Sequence, residues 1–212
     1  MALIHQAELR PSKQELIAQW LPSQPWFLGG DTAALARIGS YRFDDPDGEV
    51  GMETFLMNLG ETVYHLPLTY RGEPLDCAEE WLVGTMHHSV LGQRWVYDGC
   101  GDPTYVSALV GTMMAGDPQA EEVTEVDGGT EVRASSVRLA SVGPVLPRAP
   151  RMGQRNPVTE DDKTVIRSGD LVLSIARIPE LGGHVGGNWA LTGIWEGQPR
   201  PVQLASLTRE GH

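Results

Sequence analysis

The chain has 212 residues, of which 41% are hydrophobic and 21% charged, so it can bury one good core or two small ones packed together. A formal net charge of −12, with only 16 Lys and Arg residues, argues against the basic surface of a nucleic-acid-binding protein. No apolar run approaches the roughly 20 residues of a membrane span and the N-terminus has no signal-peptide pattern, so we expect a cytoplasmic protein without membrane or nucleic-acid partners.

The first predicted element is a helix that begins after a capping box at residues 12–15 (SKQE) and ends near Pro22. Leu16, Ile17 and Trp20 fall on one side of this helix. Residues 35–43 and 49–59 then alternate loosely between apolar and polar side chains. The turn residues at 45–48 (DPDG) separate them, so we predict a β-hairpin.

Residues 61–71 alternate more clearly and predict a strand with Tyr64, Leu66, Leu68 and Tyr70 on one face. Pro67 cannot donate a ladder hydrogen bond, and we therefore expect an edge strand or a bulge there. Residues 81–88 and 94–97 predict a further strand pair around a turn at residues 91–92.

A helix is predicted to begin at Asp102 and Pro103, which supply an N-cap and a proline in the first helical position. Its apolar side chains recur with helical spacing, namely Val106, Leu109, Val110 and Met113.

Short strands follow Gly116, and we predict a boundary near residue 118. The first strands are expected at 121–126 and 130–139, around a tight turn at 127–129 (DGG). An extended connector at 144–150 leads to strands at 164–166, 170–177, 190–195 and 202–207. With 15 prolines and 25 glycines, the chain favours strands and turns over long helices, so the predicted fold class is α+β.

Four segments, in order, resemble the N-terminal cap family of actinobacterial maltokinases. They are residues 20–27 (WLPSQPWF), 64–72 (YHLPLTYRG), 89–99 (SVLGQRWVYDG) and 102–106 (DPTYV). The resemblance implies a cystatin-like α+β cap over residues 1–117, an antiparallel sheet with packed helices. It implies a mostly-β subdomain over residues 118–212, like the small lobe of an aminoglycoside-phosphotransferase-like kinase.

The same resemblance places Gly153, Gln154, Arg155 and Asn156 at the phosphate loop and Ser174 at the ATP-contacting lysine. Serine cannot supply the missing charge, although Lys163, Arg167 or Arg177 could do so if the alignment shifts. Amides of residues 153–156 could face an anion. The segment is better interpreted as a hairpin turn left from an ancestral kinase, because Pro157 removes one amide donor that a phosphate site would need.

Phosphoryl transfer also needs groups that the C-terminal lobe of such kinases supplies, and we expect this chain to lack that lobe. We therefore expect a pseudokinase-like protein without kinase activity, with no bound cofactor as part of its function.

Other polar residues have a structural and a functional interpretation. The adjacent His87 and His88 point to opposite faces of a strand, so we expect no metal site there, and His65 is interpreted as a buried polar residue. Asp98 and Asp102 could form a carboxylate pair for sugar chemistry, but a turn and an N-cap explain them better. Cys77 and Cys100 fit neither a redox motif nor a zinc site.

Trp26, Tyr70 and Arg71 are the candidate interface residues, because the first lies in a loop and the others at a strand end. We expect a non-catalytic module that binds a protein partner in sugar or α-glucan metabolism, such as trehalose metabolism. The partner could be a kinase, a glucan enzyme or a second copy in a homodimer. The alternatives are a binding protein for a nucleotide or a glucose-based sugar, and the front half of a split sugar kinase.

Overall fold

Two antiparallel six-stranded sheets and two helices make up most of the fold, as the computed structural model shows for residues 2–4, 8–126, 129–133, 135–153 and 157–210. The helices are α1 (Lys13–Trp20) and α2 (Pro103–Ala115). The strands are β1 (Ala2–Ile4), β2 (Leu9–Arg10), β3 (Ala36–Phe43), β4 (Gly51–Leu59), β5 (Thr62–Arg71), β6 (Leu82–His88), β7 (Gly92–Asp98), β8 (Glu122–Val126), β9 (Gly129–Arg133), β10 (Val137–Val142), β11 (Val158–Glu160), β12 (Lys163–Ser168), β13 (Leu171–Ala176), β14 (Trp189–Trp195) and β15 (Gln198–Arg209). The predicted α+β class is confirmed.

The first six-stranded sheet, called the cap sheet below, has the order β2-β6-β7-β5-β4-β3. The predicted hairpin is its β3–β4 pair. The carboxylate of Asp45 holds the connecting turn by accepting hydrogen bonds from the backbone N–H groups of Asp47, Glu49 and Val50. This turn chemistry is local, and the sequence therefore reveals it.

Helix α1 begins at the predicted capping box. The Ser12 hydroxyl accepts from the Glu15 N–H, and the Glu15 carboxylate accepts from the Ser12 N–H at 2.7 Å. Leu16, Ile17 and Trp20 are buried and belong to a core cluster that also contains residues of β4 and β5. The helix therefore covers one face of the cap sheet with the side predicted from its spacing.

The prediction that Pro67 marks an edge strand or a bulge is wrong for strand β5 as a whole, although Pro67 itself lies at a locally unpaired side of the strand. Strand β5 lies between β4 and β7, and its register with β4 has no irregularity. Pairing with β7, however, begins only at Leu68. Pro67 therefore occupies a part of β5 that no second strand covers, where its missing N–H breaks no ladder hydrogen bond.

Helix α2 has the predicted start, where Asp102 accepts from the Thr104 N–H, and Gly116 with φ 77° ends it. Glycine suits that left-handed conformation, in which a Cβ would be strained. The helix contributes Leu109 and Met113 to a core cluster shared by residues before and after residue 118. Division of the chain near that residue stays a prediction.

The second six-stranded sheet has the order β10-β14-β15-β13-β12-β11, and β1, β8 and β9 form a small third sheet in which β1 is parallel to β8. The single strand predicted at 130–139 is wrong, because β9 and β10 belong to different sheets. Both Ser135 and Ser136 donate side-chain hydrogen bonds to the Ser40 carbonyl on β3, which anchors the chain where it changes sheets. Residues 127–128 of the predicted turn lie outside the described residues.

Candidate functional site

A fully buried charge lies between the two six-stranded sheets. Arg177 follows β13, and none of its side chain is exposed. Its Nη2 donates to the Asp98 carboxylate at 2.6 Å, and its Nε donates to the Thr164 hydroxyl at 2.7 Å. The guanidinium also lies over the Trp26 ring, 5.2 Å from the centroid. One side chain therefore joins the cap sheet to the second sheet.

Opposite effects act on the pKa of Arg177. Burial alone would lower the pKa of Arg177, but the charge and the hydrogen bond of Asp98, together with contributions from Cys100 and Tyr105, outweigh that effect and the pKa is raised. A buried ion pair of this kind does not add much stability by itself, yet leaving either charge unpaired is strongly unfavourable. The arrangement fixes how the sheets pack and leaves Arg177 unable to bind a phosphate.

His65 makes the second polar contact between the sheets. Its ring Nδ1 lies 2.7 Å from the Ala176 carbonyl and its ring Nε2 lies 2.8 Å from the Tyr41 hydroxyl. The backbone N–H of His65 donates to the Arg177 carbonyl. Burial lowers the pKa of His65 to about 4, so the ring is neutral near pH 7, with Nδ1 donating and Nε2 accepting. Burial also raises the pKa of Tyr41 to about 12. The interpretation of His65 as a buried polar residue is confirmed.

Asp98 and Asp102 have the structural roles predicted for them. The N–H of Cys100 donates to Asp98, and Asp102 is the N-cap of α2. Both carboxylates also bind a guanidinium, since Arg71 donates two hydrogen bonds of 2.7 Å to Asp102. In these positions the two carboxylates hold turns and cations in place.

The candidate interface residues lie in three different environments. Trp26 is 2% exposed and packs against Trp20 and Tyr64 inside the cap. Tyr70 is half-buried, with the Lys13 ammonium 4.9 Å from its ring centroid, and Arg71 is half-buried on Asp102. A role in a protein interface stays a prediction for all three, and Tyr70 and Arg71 are the more accessible.

Ser174 lies in an open groove on the outer face of the second sheet. Its neighbours Leu173 and Ile175 point into the core, and Ser174 points the other way, into a groove of about 230 Å³. Of the three cations considered as substitutes for a kinase lysine, Lys163 lines this groove. Arg167 instead pairs with Glu160, and Arg177 is buried on Asp98.

Gly153 is the one predicted phosphate-loop residue among the described residues, and it does not line that groove. The Gly153 N–H donates to the Ser168 hydroxyl at the far end of β12 from Lys163. Gln154, Arg155 and Asn156 lie outside the described residues. Their role as an anion site stays a prediction.

Sequence reasoning missed a cleft of about 960 Å³ beside α2. Its walls are the acidic turn 44–50 and residues 147–152, which include the end of the connector, and its floor is a row of small side chains on α2 that includes Ser107, Ala108 and Thr112. The connector is held against the helix by a hydrogen bond from the Leu146 N–H to the Met114 carbonyl at 2.7 Å. This contact joins residues that are far apart in the sequence, so the sequence could not predict it. The acidic turn is the part of the cleft that the sequence does show.

A metal centre finds no support in the described residues, among which no three His, Cys, Asp or Glu side chains group around a common point. Among the same residues, no helix is long and apolar enough to cross a membrane.

Comparison with protein families shows that residues 20–102 match the model of the maltokinase N-terminal cap domain. The match extends from the end of α1 to the N-cap of α2, so the resemblance found in the sequence is confirmed over this segment. It covers Trp26, His65 and Asp98 but not Arg177. No curated protein matches the chain.

Proposed function

Starting from a maltokinase N-terminal cap domain at residues 20–102, we propose that the chain is a non-catalytic, maltokinase-related module that binds a protein partner. The observation that carries this proposal is the open cleft beside α2, which at about 960 Å³ is large enough for a segment of another protein. Arg71, one of the candidate interface residues, lines it.

The polar groups of the two sheets support a role without catalysis. Phosphoryl transfer requires a cation on the nucleotide phosphates and carboxylates that hold magnesium. Here Ser174 offers only a hydroxyl, while Arg177 and Asp98 neutralise each other in the interior. His65 is neutral and hydrogen-bonded on both ring nitrogens, so it is not available as a general base.

The chemistry of the cleft favours an extended segment with basic side chains. Small residues on α2 let a backbone approach the helix closely, and the exposed carboxylates of Asp47 and Glu49 form one wall. The partner we propose is a protein of sugar or α-glucan metabolism, such as a kinase, or a second copy of this chain.

Blocking the cleft tests the proposal. Ser107 is exposed on α2, and Ser107→Trp would fill the cleft without disturbing the core; Thr85→Trp, on an exposed position of β6, is the matched control. A partner captured with the wild-type chain and then purified should bind the control normally and lose at least about tenfold in affinity for Ser107→Trp. Equal affinity for both variants would contradict this site. The proposed partner-binding function would be contradicted if light scattering showed only a monomer and the wild-type chain captured no partner.

A second candidate function is binding of a nucleotide or a glucose-based sugar, and the groove shared by Ser174 and Lys163 supports it. A ligand that binds the native state raises the melting temperature. We expect a shift with at least one of ATP, ADP, maltose, trehalose and glucosamine if this function is correct. No shift at millimolar ligand would contradict it. Phosphorylation of maltose after mixing with a separate kinase C-terminal half would instead support a split kinase.

A further inference from the structure

The cleft beside α2 has two walls of opposite charge, and we propose that a second copy of this chain docks there through the same surface. A contact of this kind rests on the proposed partner-binding function, since it names the partner for the same cleft. The acidic turn 44–50 is called the acidic wall below. Residues 147–152, which contain Arg148 and Arg151, are called the basic wall.

The charged side chains of the two walls do not neutralise each other within one molecule. Asp47 and Glu49 are exposed on the acidic wall, and Arg148 and Arg151 are exposed on the basic wall. None of these four side chains makes an ion pair with another residue in the described part of the chain. Their charges are therefore available to a second molecule.

Both walls are held in place before any partner binds. The Asp45 carboxylate fixes the acidic wall by accepting hydrogen bonds from three backbone N–H groups of the turn. At the basic wall, the Leu146 N–H donates to the Met114 carbonyl of α2, and Ala149 and Met152 pack against the core. Docking would therefore cost little ordering of the backbone on either side.

Positive charge is concentrated at the basic wall of an otherwise acidic protein. Arg148 and Arg151 also line a neighbouring groove of about 590 Å³ together with Arg209, and no Asp or Glu of the described chain lines it. Exposed charges more than about 8 Å apart are largely screened at physiological ionic strength. The arginines of the wall, rather than the net charge of −12, therefore decide which group docks against it.

A partner for this cleft must bring both signs of charge. A purely basic segment would pair with Asp47 and Glu49 but would be repelled by the basic wall, and an acidic segment or a nucleic acid would meet the reverse problem. The basic wall of a second copy is itself an extended segment with two unpaired arginines, and the same copy brings an acidic wall.

The placement of the walls indicates a closed dimer. Both walls belong to one cleft, so a two-fold rotation sets the acidic wall of each copy against the basic wall of the other. The small side chains of Ser107 and Ala108 on the floor of the cleft leave room for this approach. Each copy then satisfies the charges that the other leaves unpaired.

A charge swap in the full chain tests this contact, with sedimentation velocity as the measurement. The wild type should form a dimer at micromolar concentration. Arg148→Glu combined with Arg151→Glu gives a chain with two acidic walls, and its dimer dissociation constant should rise at least about tenfold. Asp47→Lys combined with Glu49→Lys gives two basic walls and should have the same effect. An equimolar mixture of the two variants should form a heterodimer, because opposite charges then meet at both walls.

The matched control is Arg138→Glu combined with Arg200→Glu. It changes the net charge by the same amount at two exposed positions that line neither the cleft nor the neighbouring groove. This control should dimerise as the wild type does. If circular dichroism shows that the chain with two acidic walls does not fold, Arg148→Gln combined with Arg151→Gln takes its place and should also weaken the dimer.

Four results would overturn the proposal: a monomeric wild type, a dimer that both wall variants retain, a mixture without heterodimer, or an equal loss in the control. A monomeric wild type that still binds a separate protein, with that binding lost in Ser107→Trp, would overturn the second copy as partner. The proposed function of the cleft would stand in that case.

Discussion

The guanidinium of Arg177 donates a 2.6 Å hydrogen bond to the carboxylate of Asp98, and at most 1% of either side chain is exposed. The two residues come from different sheets, so the fold depends on a charge pair that joins elements far apart in the chain. Removing one partner of this pair should therefore lower the free energy of unfolding.

Substitution of Arg177 by Met should destabilise the protein by about 3–5 kcal/mol, since it leaves the Asp98 carboxylate buried without its cation. Asp98→Asn combined with Arg177→Met should recover part of that loss, because the uncompensated charge is then absent. Urea unfolding measures both values.

The control for this prediction is Arg167→Met, which removes an ion pair with Glu160 whose side chains are 52% and 39% exposed. It should change the unfolding free energy by less than about 1 kcal/mol. If Arg177→Met were as mild as the control, the buried pair would not hold the sheets together.

Acidification should destabilise the fold through His65. The pKa of its imidazole is about 4 in the folded chain, below its ordinary 6.5, because burial disfavours the charged ring. Between these values the unfolded chain binds a proton that the native chain does not, so stability falls as the pH drops from 6.5 towards 4. The loss from pH 7 to pH 4.5 is about 2.5 kcal/mol for this one group.

Comparison of variants isolates the histidine from other groups that titrate in the same range. Between pH 7 and pH 4.5, the unfolding free energy should fall by about 2.5 kcal/mol less in His65→Gln than in the wild type. His87→Gln, at an exposed position of β6, is the control and should keep the wild-type pH dependence. Identical pH profiles for wild type and His65→Gln would refute the assignment.

Local chemistry explains which parts of the fold could be predicted from sequence. The capping box at Ser12, the N-cap at Asp102 and the β3–β4 hairpin depend on residues within a few positions of one another. The burial of Leu109 and Met113 follows from helical spacing.

Contacts between distant residues explain what could not be predicted. Pro67 is compatible with an interior strand because β7 ends short of it, and the break between β9 and β10 depends on serines that bind Ser40. Likewise, Trp20 and Trp81 line a common pocket with Thr159 only because β11 lies beside the cap sheet. The sequence shows these tryptophans but does not show that they lie close together in the fold.

Glu53 should be a third stabilising centre, because it is 3% exposed and accepts hydrogen bonds from Lys13 on α1 and from Arg42 on β3. Burial alone would raise the pKa of Glu53, but these cations outweigh it and the pKa is lowered. Glu53→Gln should cost about 3 kcal/mol in the unfolding free energy, since it leaves the cations partly uncompensated.

The surface pair of Glu8 and Arg10, with side chains 77% and 81% exposed, provides the comparison for Glu53. Thermal or urea unfolding of Glu8→Gln should match the wild type within about 0.5 kcal/mol. An equally small effect of Glu53→Gln would show that α1 is held by its apolar face alone.

Gly101 is required by the Trp81 ring rather than by backbone conformation, and Gly101→Ala tests this. An added Cβ would stand 2.1 Å from the indole, so the ring must move or the backbone must shift, at a cost of about 1–3 kcal/mol. Gly182→Ala is the control, because a Cβ there has no neighbour within 4 Å. We expect Gly101→Ala to lower the melting temperature and change the tryptophan fluorescence, while Gly182→Ala leaves both unchanged. A Gly101→Ala protein with wild-type stability and fluorescence would show that Trp81 is not held in the position described.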